Sequence, residues 1–598
     1  MCPAHKKATF SPASSRTVAP SSWSVNPPLL ASHLEVPPIL SVKRNVVVFA
    51  AAICTLAGAD GAWAQHLNDR AGIRRVLLIS IDGMHALDYQ NCSIGGYCPN
   101  LAGLGKTGVN YTRTTTSRPS DSFPGLMAIV TGGTPRSVGA FYDVAYDRVL
   151  APPRNTTGNG LAGGNCVAGQ ANGTTTEFEE GVEIDQSQLN GGGPYASALD
   201  GGILSIDPTR LPRDPFNNCA PVYPWQFVRT NSIFGVIHAA GGRTAWSDKH
   251  AVYAVVSGHG NTAANVDDYY SPEVNSNLIP LPGVVTADGL LDCSTIPDNN
   301  GDDWTRSFRN IRCYDQLKVN AILNQIDGKT HLGTAKAPVP NIFGMNFQAV
   351  SVGQKLVASG VKGGYTNAAG TPTPDMKAEI VYVDAAIGSM VSELKKQGLY
   401  DSTLIVITAK HGQSPIDTHR VQKLGDTSPA TILAGAGMIP DSESPLTGGI
   451  GPTEDDISQL WLKPGTEVSA AVAILEANAA AAGLGQILYG PSLTTMFNAG
   501  GLPPLDPRTP DIIVLPNQGV IYSNSSHKQA EHGGFSLDDT NVMMLVANPS
   551  LQAATVSSFV ETTQVAPTIL QALGLDPAQL DAVKQEGTAV LPGLTFKQ

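Results

Sequence analysis

Charged residues are few in this 598-residue sequence, because they make up only 15% of it and no long block of like charges occurs. A protein that binds a nucleic-acid polymer concentrates lysine and arginine on one face. Here the formal net charge is −12. The composition therefore argues against a nucleic-acid polymer as partner and favours a globular chain, since 42% of the residues are hydrophobic.

Several motifs that would define other chemistries are also missing. No two cysteines have the CxxC spacing of a thiolate zinc site. No Gly-x-Ser-x-Gly elbow is present, which excludes an esterase of the α/β-hydrolase type. Gly328-Lys329-Thr330 lacks the upstream glycine of a phosphate-binding loop, because Leu323 occupies that position.

The first 64 residues have the order of an export signal. Residues 1–42 are rich in Ser, Pro and Ala, and we expect a disordered leader or a start codon assigned too early. A Lys-Arg pair then precedes an apolar run over residues 45–58, which is shorter than the roughly 20 residues of a spanning helix. We predict a signal peptide over residues 43–64, with an uncleaved anchor as the alternative. The mature protein would be secreted or periplasmic, without a stable membrane span.

Six cysteines follow the predicted signal peptide, and an even number in an oxidising compartment predicts three disulfides. Many pairings are open to six cysteines. The pairing of near neighbours joins Cys92 to Cys98, Cys166 to Cys219, and Cys293 to Cys313.

Short apolar runs indicate buried strands of a parallel sheet. Residues 75–81 and 404–408 are such runs, and two further strands are predicted over residues 511–515 and 542–546. The 3.6-residue period of residues 378–397 predicts an amphipathic helix. Strands that alternate with helices predict an α/β fold, a three-layer αβα sandwich around a mostly parallel central sheet.

Gly/Asn-rich stretches interrupt this pattern without marking a linker between two independent halves. We therefore expect a single catalytic domain over residues 70–598. Its insertions are placed at about residues 150–230, 255–310 and 430–500.

Polar residues follow the predicted strands and begin a predicted helix. Ligands of an open α/β sheet bind beyond the carboxyl ends of the strands, so Asp82 and Lys410-His411 are expected to face one crevice. Ser122 is followed by Phe123-Pro124, which predicts a position near a helix N-cap. A phosphoryl group on Ser122 would face the positive end of the helix dipole. The alternative is that Asp82 and Ser122 are ordinary capping residues.

The order of these motifs resembles the type I phosphodiesterase/nucleotide pyrophosphatase branch of the alkaline phosphatase superfamily. The matching pieces are Asp82, Ser122-Phe123-Pro124, Thr131-Gly132, residues 399–403 with the strand leading to His411-Gly412, Glu531-His532-Gly533-Gly534, and residues 563–570. The resemblance implies a hydrolase of phosphate diesters or monoesters that acts on a small-molecule ester through a covalent Ser122 intermediate. It also implies one or two divalent ions, zinc foremost, with Asp82 and His411 binding one ion and His532 the other.

The chain departs from the family at several of these positions. Lys410-His411 stands where the family has Asp-His. The family's remaining Asp and His ligands align with Val350 and Gln354, and Gly125 replaces an Asn that contacts the phosphoryl group in many relatives. The predicted metal site is therefore altered.

Three interpretations of the altered site remain open. In the first, Lys410 or Lys249 supplies the positive charge of a missing ion, as lysines do in the sulfatases of the superfamily. In the second, Asp248 and His250, spaced like two side chains on one strand face, join Asp82, His411 and His532 as metal ligands. In the third, the chain is a degenerate, non-catalytic extracellular binding protein on the same fold.

Three residues are predicted to contact the substrate. Gly125 occupies the position of the phosphoryl-binding Asn, and Lys249 is a candidate cation. Trp246 would line a pocket for the leaving group, since an indole ring stacks on a base or an aryl group.

Overall fold

The computed structural model describes residues 72–157, 160–178, 203–274, 281–295, 305–447, 451–494 and 506–596. The predicted leader and signal peptide lie outside the described residues. Among the described helices, none is both long enough and apolar enough to cross a bilayer.

A nine-stranded sheet forms the centre of the fold. Its strands are β1 (Arg75–Ile81), β2 (Val109–Thr115), β3 (Ala245–Ser247), β4 (Asp268–Tyr270), β5 (Ile342–Phe347), β6 (Thr403–Thr408), β7 (Asn541–Ala547), β8 (Ala554–Val556) and β9 (Val560–Glu561). The order across the sheet is β8-β2-β7-β6-β1-β5-β3-β4, and β9 also pairs with β2. All neighbouring strands are parallel, except that β7 is antiparallel to both β6 and β2. The predicted mostly parallel sheet is confirmed.

Three adjacent parallel strands bring the predicted site residues to one edge. Ser80 of β1 lies opposite Thr408 of β6 on one side and Asn346 of β5 on the other. Because the carboxyl ends of these strands coincide, the residues that follow them begin side by side. The register alone thus places Asp82 close to Lys410.

Helices cover both faces of the sheet. The described α-helices are α1 (Ala86–Gly95), α2 (Pro99–Thr107), α3 (Ser122–Thr131), α4 (Pro135–Val138), α5 (Pro224–Phe227), α6 (Ile233–Ala239), α7 (Asn310–Ile326), α8 (Ala349–Lys355), α9 (Pro374–Lys396), α10 (Pro429–Gly435), α11 (Val468–Ala477), α12 (Pro491–Thr494), α13 (Leu537–Thr540), α14 (Val565–Ala572) and α15 (Asp581–Glu586). The helix predicted over residues 378–397 is α9.

The side chains of β1 show the three layers directly. Val76 and Leu78 pack in one core with α3 and α14. Leu77 and Ile79 point to the other face and pack in a second core with α7 and α9. The alternation follows from the period of two in a strand, and it confirms the αβα sandwich.

A smaller antiparallel sheet accounts for one predicted strand. Its four strands are Thr453–Glu454, Ser458–Leu460, Leu484–Tyr489 and Ile512–Pro516. The run predicted over residues 511–515 therefore belongs to this sheet and not to the central one. An apolar run reports burial of a strand but not the identity of its partners, which is why the prediction was wrong. Two-stranded pairs join Val144–Asp147 to Thr174–Glu177, Arg213–Asp214 to Ala220–Pro221, Val357–Ala358 to Val361–Lys362, and Gln422–Lys423 to Val520–Ile521.

The three disulfides predicted from near-neighbour pairing are present. Cys92 is bonded to Cys98, Cys166 to Cys219, and Cys293 to Cys313. The first and third cross-link residues 6 and 20 positions apart, and the second spans 53 positions.

Candidate active site

Asp82 follows β1 directly and is almost completely buried. Its Oδ2 accepts hydrogen bonds from the side-chain amides of Asn346 at 2.9 Å and Gln348 at 2.6 Å. Burial by itself would raise the pKa of Asp82, but the positive charges of Lys410 and His411 and the Asn346 hydrogen bond lower it overall. The carboxyl group is therefore ionised at every pH near neutrality.

Ser122 is the first residue of α3, and Asp121 is its N-cap. The Asp121 carboxylate accepts the Phe123 N–H at 3.1 Å, and Pro124 occupies the first turn as predicted from its fixed φ. All ten residues of α3 are buried. The Ser122 hydroxyl thus lies at the positive end of a buried helix dipole, one residue beyond the cap.

The Ser122 hydroxyl contacts a histidine and a lysine. Its Oγ lies 3.2 Å from Nε2 of His411 and 3.4 Å from Nζ of Lys249. Nδ1 of His411 donates to the Gly412 carbonyl at 2.9 Å, which leaves the Nε2 lone pair facing Ser122. Burial lowers the pKa of His411 to about 4, so the ring is neutral and able to accept the hydroxyl proton.

Lys249 is the half-buried member of this group. Burial lowers the pKa of its ammonium to about 7, with the charge of Asp82 acting in the opposite direction. A cation so close to Ser122 stabilises negative charge on the hydroxyl oxygen or on an oxyanion bound beside it.

Lys410 is fully buried and paired with a carboxylate from another strand. Its Nζ lies 3.0 Å from Oδ1 of Asp248 and 4.0 Å from Oδ2 of Asp82. The same nitrogen lies 4.0 Å from the centre of the Tyr253 ring. The other oxygen of Asp248 accepts the Trp246 indole N–H at 3.0 Å. Asp248 is thus a counterion of Lys410, in contrast to the metal ligand that was predicted.

His532 joins the group from the segment before β7. Its ring centre lies 4.2 Å from that of His411, and its Nδ1 lies 3.4 Å from Oδ1 of Asp121. Burial and the charge of His411 hold the pKa of His532 well below its usual range. The structure therefore brings together Asp82, Ser122, Lys410, His411 and His532 from the motif segments, and with them Lys249, the candidate cation of the first interpretation.

Two predicted site residues have other surroundings. His250 pairs with the buried Glu273 at 2.7 Å and stacks near Tyr253, which opposes its role as a metal ligand beside Asp82. Trp246 is wholly buried in the hydrophobic core, with its ring edge-on to Phe234. The prediction that Trp246 lines a leaving-group pocket is wrong, because β3 lies inside the sheet and its indole is enclosed.

Gly125 has a steric reason to lack a side chain. A Cβ built at this position would lie 2.2 Å from the Lys410 carbonyl oxygen. The main chain of residue 410 therefore fills the space into which an Asn side chain would project. The predicted substrate contact at Gly125 is limited to its main chain, whose N–H donates to the Asp121 carbonyl at 2.8 Å.

The residues present do not fit the divalent-metal site that the resemblance implies. Across the described ranges, no group of three or more His, Cys, Asp or Glu side chains is arranged to hold a metal ion. Val350 lies in the core, and the Gln354 amide donates to the Gly83 carbonyl at 2.7 Å and the Tyr365 hydroxyl at 2.7 Å. Oδ2 of Asp82 accepts two amide N–H groups, which cannot ligate a metal, and the lone pair of the nearby His411 Nε2 faces Ser122.

Sequence reasoning missed the amides on Asp82 and the cap at Asp121. The amides had a signal in the sequence, since Asn346 and Gln348 lie at the end of a buried apolar run, just before the positions that align with the family's Asp and His ligands. The signal for the second was an Asp directly before the predicted helix, which is a preferred N-cap residue.

A cavity of about 780 Å³ lies beside α1 and β7, lined by His85, Tyr89, Ile94, Met543 and others. None of the predicted site residues lines it. The cavity is therefore separate from the Ser122 group, and the chemistry is assigned from the side-chain contacts alone.

The match to a family sequence model agrees with the motif order. The sequence model described as type I phosphodiesterase/nucleotide pyrophosphatase matches residues 76–176 and 364–537. No curated protein sequence matches the chain. Among solved structures, the chain is similar to murine ectonucleotide pyrophosphatase/phosphodiesterase 5, with 15% identity, a TM-score of 0.49, and 84% of this chain and 96% of that chain covered. The human counterpart gives 14% identity, a TM-score of 0.47, and coverages of 84% and 95%.

The matched segments contain the residues on which the resemblance was built. Asp82 and Ser122 lie in the first segment, and Lys410, His411 and His532 lie in the second. Over these two segments the chain matches the type I phosphodiesterase/nucleotide pyrophosphatase family, the branch of the alkaline phosphatase superfamily that its motifs predicted.

Proposed function

We propose that the chain is a hydrolase of phosphate esters, diesters or monoesters, in which Ser122 is the nucleophile. The observation that carries the proposal is the position of the Ser122 Oγ between the neutral His411 Nε2 and the Lys249 ammonium. A hydroxyl with a base on one side and a cation on the other is an activated nucleophile. Its position at the N-terminus of α3 favours a phosphoryl group there.

The proposed reaction proceeds in two displacements. The Ser122 Oγ attacks phosphorus, its proton passes to Nε2 of His411, and the bond from phosphorus to the leaving alcohol breaks. The leaving oxygen takes up a proton and His411 releases its own to solvent, so the ring is neutral again. Water then attacks the phosphoserine and gives a proton to His411, and the bond from phosphorus to the Ser122 oxygen breaks as His411 returns that proton to the Ser122 oxygen. Lys249 and the α3 dipole stabilise the negative charge that gathers on the phosphoryl oxygens.

No step of this reaction is routed through a metal ion, although the family is typically metal-dependent. The Asp82 carboxylate accepts N–H groups from two side-chain amides, and the cationic groups beside the site belong to lysines. The positive charge in the proposed reaction therefore comes from side chains, in line with the first of the three interpretations.

We also propose that the protein is exported. The signal-like sequence at residues 43–64 motivates this, and the three disulfides support it because disulfides form and persist in oxidising compartments. A small-molecule phosphate ester outside the cytoplasm is the expected substrate.

A non-catalytic binding protein is the competing proposal. The observation in its favour is that the Ser122 side chain is fully buried while several family ligands are replaced. Such a protein would keep the cationic site and bind an oxyanion without turning it over.

Turnover separates the two proposals. We would measure hydrolysis of bis-p-nitrophenyl phosphate, p-nitrophenyl phosphate and p-nitrophenyl sulfate by the mature protein and by Ser122→Ala. We expect the variant to lose more than about a thousandfold in kcat on the phosphate esters, because it lacks the attacking atom.

Ser120→Ala is the matched control. This serine lies two positions away, and its hydroxyl donates to the Asp539 carbonyl, outside the Ser122 group. We expect its unfolding free energy to fall by about 1 kcal/mol and its kcat to persist. Wild-type protein that binds phosphate yet turns over none of the three substrates would favour the binding protein.

A further inference from the structure

Lys410 occupies the position at which the family resemblance expects a metal-binding carboxylate. Its Nζ lies between two carboxylates that come from different strands, 3.0 Å from Asp248 and 4.0 Å from Asp82. None of the three side chains is more than 1% exposed. The Tyr253 ring covers the same nitrogen at 4.0 Å, as in a cation–π contact. A positive charge is thus already fixed between the two acidic groups.

A divalent ion beside Asp82 would have to displace this ammonium group. The ammonium is not a ligand unless it loses its proton, and its charge repels a second cation nearby. The donors nearby already have partners, because the Asn346 and Gln348 amides direct N–H groups to Oδ2 of Asp82, the Asp248 carboxylate pairs with Lys410, and Nε2 of His411 faces Ser122. The geometry therefore favours the lysine over a metal ion at this position.

The counterion Asp248 is held in place independently of Lys410. Its Oδ2 accepts the Trp246 indole N–H at 3.0 Å, and its Oδ1 accepts the main-chain N–H of Lys249 at 2.9 Å. Asp248 lies outside the two segments that match the family, whereas Lys410 lies inside one of them. The chain thus pairs a lysine at a family ligand position with a carboxylate from a part that the family model does not cover.

We infer that Lys410 is a permanent, covalently attached replacement for the metal ion at Asp82, and that the chain holds no divalent ion there. Asp82 and Asp248 carry two negative charges, and Lys410 and Lys249 carry two positive charges when both ammonium groups are protonated. The four formal charges cancel, so an anionic phosphoryl group at Ser122 meets no net repulsion from them. Lys410 acts as a positioning residue, since its ammonium is enclosed. The inference rests on the proposed function in one respect, which is that the anion bound at Ser122 is a phosphoryl group.

The first test is the zinc content of the wild-type protein. The full mature chain would be equilibrated with zinc and dialysed, and the bound metal would be counted by elemental mass spectrometry. We expect far less than about one zinc ion per chain and a Tm unchanged by a chelator. About one retained zinc ion per chain, with a Tm that falls on chelation, would overturn the inference.

The second test restores the family's carboxylate with Lys410→Asp. This change exposes Asp82 and Asp248 to a third negative charge, so the metal-free variant should have a lower Tm than the wild type. The three carboxylates with His411 form an oxygen and nitrogen donor set, and zinc should bind and raise the Tm by several degrees. Lys423→Asp is the control, because this exposed lysine contacts only the Ser525 carbonyl among the described hydrogen bonds and its replacement should create no zinc response.

A Lys410→Asp variant that is folded by circular dichroism but binds no more zinc than the wild type would contradict the inference. If that variant does not fold, the zinc content of the wild type still decides. Neither measurement uses turnover. An inert wild type without zinc would refute the proposed hydrolysis and leave the inference standing. An active wild type that needs zinc would support the hydrolysis and refute the inference.

Discussion

Two buried histidine clusters share the turn at residues 82–85 and the segment at residues 411–413. The His85 cluster consists of His85, Asp88, Gln354 and Tyr365. The Ser122 cluster consists of Ser122, His411, Lys249, Asp82, Lys410 and Asp248. Apart from the half-buried Lys249, the side chains of both clusters are buried, so differences between them reflect their partners and not their depth.

Hydrogen bonding differs sharply between the two clusters. In the first, Nδ1 of His85 contacts the Asp88 carboxylate at 2.9 Å and Nε2 contacts the Gln413 carbonyl at 2.9 Å. One buried atom of the first cluster, Oε1 of Gln354, makes no hydrogen bond to the described residues. In and beside the second, three such atoms make none: Oδ1 of Asp82, and Oδ1 of Asp121 and Nδ1 of His532, which lie 3.4 Å from each other. Buried polar groups are normally paired, so unpaired atoms in one place indicate a site that binds something.

The charge states of the two histidines also diverge. Burial alone would lower the pKa of both. The adjacent Asp88 carboxylate outweighs burial and raises the pKa of His85, whereas burial dominates at His411 and leaves it neutral. A histidine with a raised pKa and hydrogen bonds at both ring nitrogens stabilises a fold, and a neutral one with a free lone pair accepts a proton.

The largest expected effect is on catalysis in the Ser122 cluster. His411→Ala should lower kcat for bis-p-nitrophenyl phosphate by about a hundredfold to ten-thousandfold, because the general base is lost. Steady-state kinetics at saturating substrate would measure it. An unchanged kcat would show that another group takes the Ser122 proton and would remove the contrast between the two histidines.

Asp88→Asn should affect stability instead of turnover. Removing one partner of a buried ion pair costs about 3–5 kcal/mol, because the other charge is left without compensation. Urea unfolding would measure this loss, with kcat of the remaining folded protein as the control. A variant that is stable but inactive would place the His85 cluster in the catalytic machinery and contradict its structural role.

The raised pKa of His85 also fixes the direction of a pH effect. A group whose pKa is raised by folding stabilises the protein below its unfolded pKa, about 6.5 for histidine, and loses that contribution as the pH rises through the folded value. The unfolding free energy of the wild type should therefore fall from neutral to alkaline pH. Asp88→Asn should flatten this dependence.

The pH dependence of turnover should have two limbs that belong to the Ser122 cluster. The rate should rise as His411 loses its proton near its pKa of about 4 and fall as Lys249 loses its own near its pKa of about 7. Each limb changes the rate about tenfold per pH unit. Lys249→Arg keeps the positive charge at all pH values and should remove the alkaline limb. An alkaline limb that survives in this variant would assign the titration to another group.

The parts of the site that follow from the sheet topology could be predicted from the sequence. Asp82 and His411 follow buried parallel strands, and their convergence follows from the position of strand ends. The partner of Lys410 could not be predicted, because the Asp248 carboxylate is directed by the Trp246 indole and by the pairing of β3 with β5. The burial of Trp246 depends on the same tertiary pairing, and a lone aromatic residue carries no signal for it.

The smallest expected effect concerns Lys355, which acts on the Ser122 cluster only through its field. Its charge contributes to the lowered pKa of both His411 and His532. Lys355→Ala should therefore move the acid limb of the rate profile to higher pH, change kcat at neutral pH by less than about twofold, and lose its effect at high salt. Lys377→Ala, an exposed lysine over the Tyr97 ring, is the control and should leave the limb in place. A loss of turnover in Lys355→Ala as large as that in His411→Ala would mean that Lys355 contacts the substrate, and the cationic part of the site would then include three lysines in addition to the helix dipole.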